Sequence, residues 1–221
     1  MKVDLHVHTR FSNDSLTILQ DVIHWAQRRS MGALAITDHN TIEGALLLSE
    51  MSPIPIIVGE EILTRDGEVS GLFLQEAIPP HLDTQQTIDL IHEQGGLAYV
   101  PHPLDRVRSS VLAFDTLIEI VDSVDFIEVL NARVSFPLDN RLAEALAEAH
   151  HLLKSAGSDA HQGVEIGHAY VEMPPFNDAT SFLASLSQGV IHGKISSPLV
   201  HMGSTYAKMA KEIMASAPLG K

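Results

Sequence analysis

Ala33-Leu34-Ala35-Ile36-Thr37-Asp38-His39-Asn40-Thr41 holds one whole unit of the fold in a single short stretch. Its first four residues are apolar at every position, which suits a parallel strand covered on both faces. Asp38 and His39 follow at the strand's C-terminal end, and Asn40 or Thr41 can cap the helix predicted over 42–50. The same order of apolar strand, polar turn and amphipathic helix recurs in both directions along the chain. Strands are predicted at 3–8, 33–37, 54–58, 71–74, 97–100, 126–130, 153–156 and 169–173. Helices are predicted at 16–29, 42–50, 84–94, 112–121, 138–151, 178–188 and 205–215. Asp83-Thr84 and Gly95-Gly96 supply start and stop signals for the helix at 84–94. So many β-α units in a short chain predict a closed or nearly closed barrel, with a doubly wound open sheet as the competing architecture.

The totals agree with one folded unit. At 221 residues, 45% hydrophobic and 19% charged, the chain reads as a single domain over 1–221, with 190–221 a peripheral C-terminal segment ending in a frayed tail. No apolar run approaches the roughly 18 residues of a membrane-spanning helix. Met1 leads at once into Asp4 and His6, which reads as a start without a secretory signal. Cysteine is absent, excluding disulfides, thiolate metal sites and cysteine nucleophiles; cytoplasmic residence is the expectation. The net charge of −14 opposes extended nucleic-acid tracks and anionic lipid, yet bound divalent cations would reverse that sign locally.

Five motifs each follow a predicted strand. In Asp4-Leu5-His6-Val7-His8, strand alternation projects Asp4, His6 and His8 to one face, where two imidazoles can grip a metal ion and a carboxylate can orient or join them. Asp38-His39 is the second. Glu60-Glu61 is the third, an adjacent carboxylate pair that calls for positive charge nearby. Pro101-His102-Pro103 fixes the backbone on both sides of one histidine. Ser158-Asp159-Ala160-His161 offers an Asp and a His on one face. Each alone has a bland reading, as a polar turn, a helix cap or a solvated acidic loop. In a parallel barrel, however, all five strand ends meet at one rim, and together they predict a site for several metal ions.

"DLHVHT", "TDHNT", "GEEI", "PHP" and "GSDAH", in this order, resemble the motifs of the PHP (polymerase and histidinol phosphatase) superfamily from Met1 to about Met173. The resemblance implies a distorted seven-stranded (β/α)7 TIM-like barrel holding two or three divalent ions, zinc, manganese or iron. It implies that His6, His8, Glu61 and Asp159 hold the first ion, that Glu61 bridges to a second held also by His102, and that Asp14, His39 and His161 hold a third. Two departures stand out. Asn13 occupies the place where the family often has Asp, with Asp14 next to it. The strand "EVSGLFL" offers Glu68 and Ser70 where many members have histidine.

The implied activity is hydrolysis of phosphoester bonds by a metal-activated hydroxide, in a small phosphorylated metabolite or a nucleotide. Asp159 and His161, with Arg133, are the residues expected to serve the chemical step. Arg106, Arg108 and Arg133 follow site loops and suit phosphate binding, and Arg10 is a further candidate. Two alternatives stay open: amidohydrolase-like C–N hydrolysis at the same metals, and a non-catalytic metal-binding domain. His24, His81, His92, His150, His151, His192 and His201 match no motif, and His168 could lie near the rim.

Overall fold

The computed structural model describes residues 1–197 and 200–216. In chain order its elements are β1 (Lys2–Val7), α1 (Leu19–Arg28), β2 (Ala33–Ile36), α2 (Glu43–Met51), β3 (Ile56–Leu63), β4 (Glu68–Leu72), α3 (Thr84–Glu93), β5 (Leu97–Val100), α4 (Phe114–Glu119), β6 (Phe126–Asn131), α5 (Pro137–Ala149), β7 (Leu153–Gly157), β8 (Ala169–Glu172), α6 (Ala179–Leu186), β9 (Val190–Gly193) and α7 (Val200–Ser216). The expected caps of α3 are present: Asp83 accepts from the backbone N–H groups of Gln85 and Gln86, and Gly95 takes the left-handed conformation at φ 76°. Asn40 does not cap α2. It adopts φ 54°, and its side chain accepts from the Leu63 N–H at 2.9 Å, tying the second site loop to β3. The tail expected to fray, 217–221, lies outside the described residues.

Among the described residues the strands form one nine-stranded sheet in the order β7-β6-β5-β4-β3-β2-β1-β8-β9, so the expected count of seven is corrected. β3 runs on to Leu63, past its predicted end at 58, and pairs antiparallel with β4, placing Glu61 opposite Ser70. β8 and β9 add an antiparallel hairpin beyond β1. β9 escaped prediction because its four residues are exposed or half-exposed and carry no apolar alternation. The sheet nearly closes. The N-terminal half of β1 pairs with β8, while Val7 bridges Ala160 in the loop after β7 and the His8 N–H donates to the Ala160 carbonyl at 2.9 Å. That contact favours the barrel over the open sheet. No helix among the described residues is long and apolar enough to cross a membrane.

One irregularity decides which side chains enter the barrel. β1 pairs Val3 with Ala33, Asp4 with Leu34 and Val7 with Ile36, so three steps on β1 match two on β2. This β-bulge reverses the alternation. Val3 and Leu5 pack in the inner core with Ala33, Ala35 and Tyr99, whereas Val7 packs outside with Leu34, Ile36 and Val22. His6 and His8 therefore face inward, and Asp4 does not join them. Asp4 instead accepts from the Ser158 N–H at 2.8 Å and the Gly167 N–H at 2.7 Å, clamping the loop after β7. Burial raises its pKa to about 6, against the pull of those hydrogen bonds.

The inner core below the site is aromatic. Tyr99 and Phe126 stack with ring centroids 4.7 Å apart, and Phe182 from α6 approaches Phe126 at 5.8 Å. All three are fully buried. Phe126→Ala is expected to destabilise the fold by about 3–5 kcal/mol, read as a lower urea midpoint at unchanged slope. A loss under about 1 kcal/mol would mean that the cavity collapses.

Candidate metal centre

Four donor groups, from β1 and the residue just past it, β3 and the loop after β7, meet at the barrel rim. His6 Nε2 lies 3.0 Å from His8 Nε2, and Glu61 Oε2 lies 3.4 Å from the first and 3.3 Å from the second. Asp159 Oδ1 lies 3.8 Å from His6 Nε2 and 3.5 Å from His8 Nε2. Donors about 2.0–2.1 Å from a tetrahedral ion stand roughly 3.3 Å apart, so this set has the spacing of a first coordination shell. All four residues are buried. Glu60 takes no part: strand alternation turns it away from Glu61, and its carboxylate accepts from the Ile78 N–H at 2.8 Å, with burial raising its pKa to about 7.

Two further groups adjoin the first. Glu61 Oε1 lies 2.9 Å from His102 Nε2, and Glu68 Oε2 lies 3.8 Å from the same nitrogen. Glu68 also comes within 3.7 Å of His39, and His39, Glu61 and Glu68 could together hold an ion. Glu68 thus stands on β4 where a histidine was missed in the sequence, while Ser70 makes no side-chain hydrogen bond. On the other flank, Asp14 reaches His161 at 3.1 Å and His39 at 3.5 Å, and His8, His39 and His161 form another potential ligand group. It is Asp14, not Asn13, that meets both imidazoles.

The orientation of the imidazoles is fixed from behind. His6 Nδ1 lies 3.2 Å from Glu128 Oε1, an acceptor only, so Nδ1–H donates and Nε2 keeps its lone pair. Ser12 gives its O–H to Asp38 at 2.6 Å and so accepts from His8 Nδ1–H at 3.0 Å. His161 Nδ1–H donates to the Asp159 carbonyl at 2.9 Å. Three Nε2 lone pairs are thereby aimed at the cluster, and the donor set fits divalent metal. His102 and Asp159 both adopt positive φ, 30° and 52°, conformations that non-glycine residues keep where the surroundings hold them. The His102 N–H donates to Glu128 Oε2 at 2.8 Å, which supplies part of that hold.

Sequence reasoning did not single out Glu128, Ser12 or Asn131, whose side chain donates to Glu128 at 2.9 Å and Asp159 at 3.1 Å; Asp38, named with His39 as a strand-end pair, serves as scaffold for Thr9 and Ser12. Glu128 carried a signal, as a carboxylate inside the apolar strand "FIEVL". Glu128→Gln is expected to weaken metal affinity by about 10–100-fold, measured by competition with a chromogenic chelator. Unchanged affinity would show that Glu128 does not orient His6.

Charge within the cluster is mutually compensated. Burial acts against charge on His39, yet Glu61 and Asp14 outweigh it and lift its pKa to about 10. Burial would raise Asp14, but His161 and His39 hold it well below the carboxylate range. For His161, burial, His8 and Arg133 bring the pKa down to about 4, so its lone pair is available at neutral pH.

A cavity of about 650 Å³ adjoins the cluster, and Asp14, His39, Glu68, His161, Arg108 and Arg133 are among the residues that line it. Arg108 pairs with Asp159 and, at 3.2 Å, with Asp105. Arg133 is buried, with Nη1 on both Glu165 oxygens at 3.0 and 3.1 Å and Nη2 on Ser204 at 2.7 Å. Arg106 lies outside this lining, bonded to Asp139 at 2.6 Å and set against the Phe136 ring. Arg10 also lies outside it, over Phe11. His168 is held by Ser196 and Arg29, away from the cluster. The segment from 190 onward contributes β9 to the sheet and, through α7, His201, Ser204 and Lys208 to the cavity.

A barrel rim carrying this many convergent His, Asp and Glu donors defines a metal-site protein of the α/β-barrel class. Comparison with known proteins narrows the class. A family model described as PHP-associated matches residues 137–191. The uncharacterized protein MJ0417 of Methanocaldococcus jannaschii is 38% identical over 180 residues, covering 80% of this chain and 72% of that protein. PsfC from Pseudomonas syringae PB-5123 shares the fold at TM-score 0.71 and 21% identity, over 95% of this chain and 98% of that one. A two-domain protein from Bacteroides vulgatus ATCC 8482, described as containing a predicted PHP-like metal-dependent phosphoesterase, shares it at TM-score 0.69 and 19% identity, over 94% of this chain and 69% of that one. The chain belongs to the same family as MJ0417, and its residues 137–191 carry the PHP-associated match.

Proposed function

We propose that the chain is a metal-dependent phosphoesterase acting on a small phosphorylated metabolite or nucleotide, with two or three divalent ions at the rim. The observation that carries this reading is the meeting of His6, His8, Glu61 and Asp159 at coordination spacing, beside a cavity lined by Arg108 and Arg133. The description of the Bacteroides neighbour is of the same kind. His6, His8, Glu61 and Asp159 would hold one ion; Glu61, His102 and Glu68 a second; Asp14, His39 and His161 a third. Such ions, when bound, polarise a phosphoryl oxygen and bring the pKa of water towards neutrality.

The chain's own groups do the rest. Arg133 lines the cavity with its Nη groups locked by Glu165 and Ser204, and its buried Nε–H has no hydrogen-bond partner, so the guanidinium is held rigidly at the cavity wall. The planar fork of a guanidinium matches phosphate oxygens. Arg108 spans Asp105 and Asp159, which ties phosphate recognition to a ligand of the first ion. Asp159 and His161, two residues apart, link the first and third ligand groups through the hydrogen bond from His161 Nδ1 to the Asp159 carbonyl.

The test pairs elemental analysis with hydrolysis of p-nitrophenyl phosphate and bis(p-nitrophenyl) phosphate after reconstitution with manganese or zinc. At least two metal equivalents with metal-dependent release of p-nitrophenol are expected. Bound metal without hydrolysis of any phosphoester, across a metabolite panel, would overturn the reading.

A further inference from the structure

We propose that α7 builds a second anion subsite, in which Lys208, assisted by His201, faces the metal cluster across the cavity, so that the preferred substrate carries a second oxyanion besides the scissile phosphate. This rests on the phosphoesterase reading and extends it to substrate class. His201, Ser204 and Lys208 all line the cavity, and they fall at i, i+3 and i+7, one polar stripe of a helix.

The wall is built, not brought there by chance. Ser204 accepts from Arg133 at 2.7 Å, and Lys211, on the same stripe, donates to the carbonyls of Arg10, at 2.6 Å, and Ser12 in the loop that leads to Asp14. Gly203 sits so close to Gln162 that a Cβ would lie 2.0 Å from its side-chain nitrogen. Helix α7 is thus fastened to both flanks of the metal loops, and Lys208 is one of its cavity-lining residues.

Arg108, Arg133 and Lys208 are the basic side chains of the cavity wall. Arg108 and Arg133 already stand beside the cluster, and both have acidic partners. Lys208 makes no hydrogen bond or ion pair among the described residues, although the chain carries 28 acidic side chains. Burial, with Arg133 and Arg108, lowers the pKa of His201, so its imidazole is neutral near pH 7 and serves as a hydrogen-bond donor beside the lysine. Leu63 and Val107 are the large apolar side chains in the lining.

The test is calorimetric binding of three non-hydrolysable probes to the manganese-loaded full chain: propylphosphonate, 3-phosphonopropionate and 1,3-propanediphosphonate. The diphosphonate is expected to bind at least about tenfold tighter than propylphosphonate, the worth of one charge-assisted contact. Lys208→Ala should bring that ratio close to one, and Lys208→Arg should restore most of it. If 3-phosphonopropionate matches the diphosphonate, the subsite takes a carboxylate; if only the diphosphonate gains, it takes a phosphate. A native ratio near one, or a ratio that survives in the Lys208→Ala, His201→Gln double variant, overturns the subsite. Because these probes are not turned over, a binding preference without ester hydrolysis would count against the reaction alone, and ester hydrolysis without a preference against the subsite alone.

Discussion

His6→Ala is expected to lose bound metal and phosphoester turnover together while keeping its secondary structure. His6 is the pivot of the first ligand group: its Nε2 lies within 3.8 Å of His8, Glu61 and Asp159 donors, and its Nδ1 is fixed by Glu128. Removing it deletes a ligand and leaves the buried Glu128 oxygen without that partner. The loss should exceed the roughly 10–100-fold that follows removal of an outer partner such as Glu128. Elemental analysis and steady-state kinetics on one preparation would check it. Full turnover in the variant would mean that His6 is not a ligand. His92→Ala is the matched control, since His92 pairs with Asp125 at 2.9 Å on the surface and belongs to none of the ligand groups; it should alter neither quantity.

Gly157→Ala should be nearly as damaging without touching a ligand. A Cβ at 157 would stand 2.2 Å from His6 Cβ and 2.6 Å from Glu128 Oε1, and neither group can retreat without disturbing the other. Overpacking of this kind costs about 1–3 kcal/mol, which in a chain of this size lowers the melting temperature by roughly 2–12 °C. More telling is the side on which the strain falls. It displaces His6 relative to His8, so metal affinity should drop as well. A variant that melts early but binds metal as the native chain does would show that the strain is absorbed in β7.

The layout of the barrel was legible because its strands are uniformly apolar and its polar residues cluster at strand ends. Strands such as 33–36 and 97–100 are buried at every position, and each leads into a motif residue that reaches the cluster or its scaffold. His39, Glu61, His102 and Asp159 needed only their place after a strand. What was hidden depended on register. The bulge in β1 leaves no mark in "KVDLHV", so strict alternation wrongly put Asp4 beside His6. The orienting shell was hidden for another reason. Glu128 and Ser12 act through distance to residues far away in sequence, and only the closed sheet shows which imidazole each one holds. Helix α7 read as a peripheral segment because His201, Ser204 and Lys208 gain meaning from the cavity they face.

The bulge in β1 also sets where two media meet. Leu5, on one side of it, belongs to the aromatic core, and its carbonyl accepts from the Tyr99 hydroxyl at 3.1 Å; His6, the next residue, belongs to the ion cluster. The floor under the charges is therefore a layer of hydrocarbon one residue away, with little capacity to screen them. Under those conditions the fields of Glu61, Asp159 and the imidazoles reach one another almost undiminished. Protons and cations at the rim should then exchange as a coupled set, each occupancy altering the affinity of the next, so that titrations of metal content depart from a sum of independent sites.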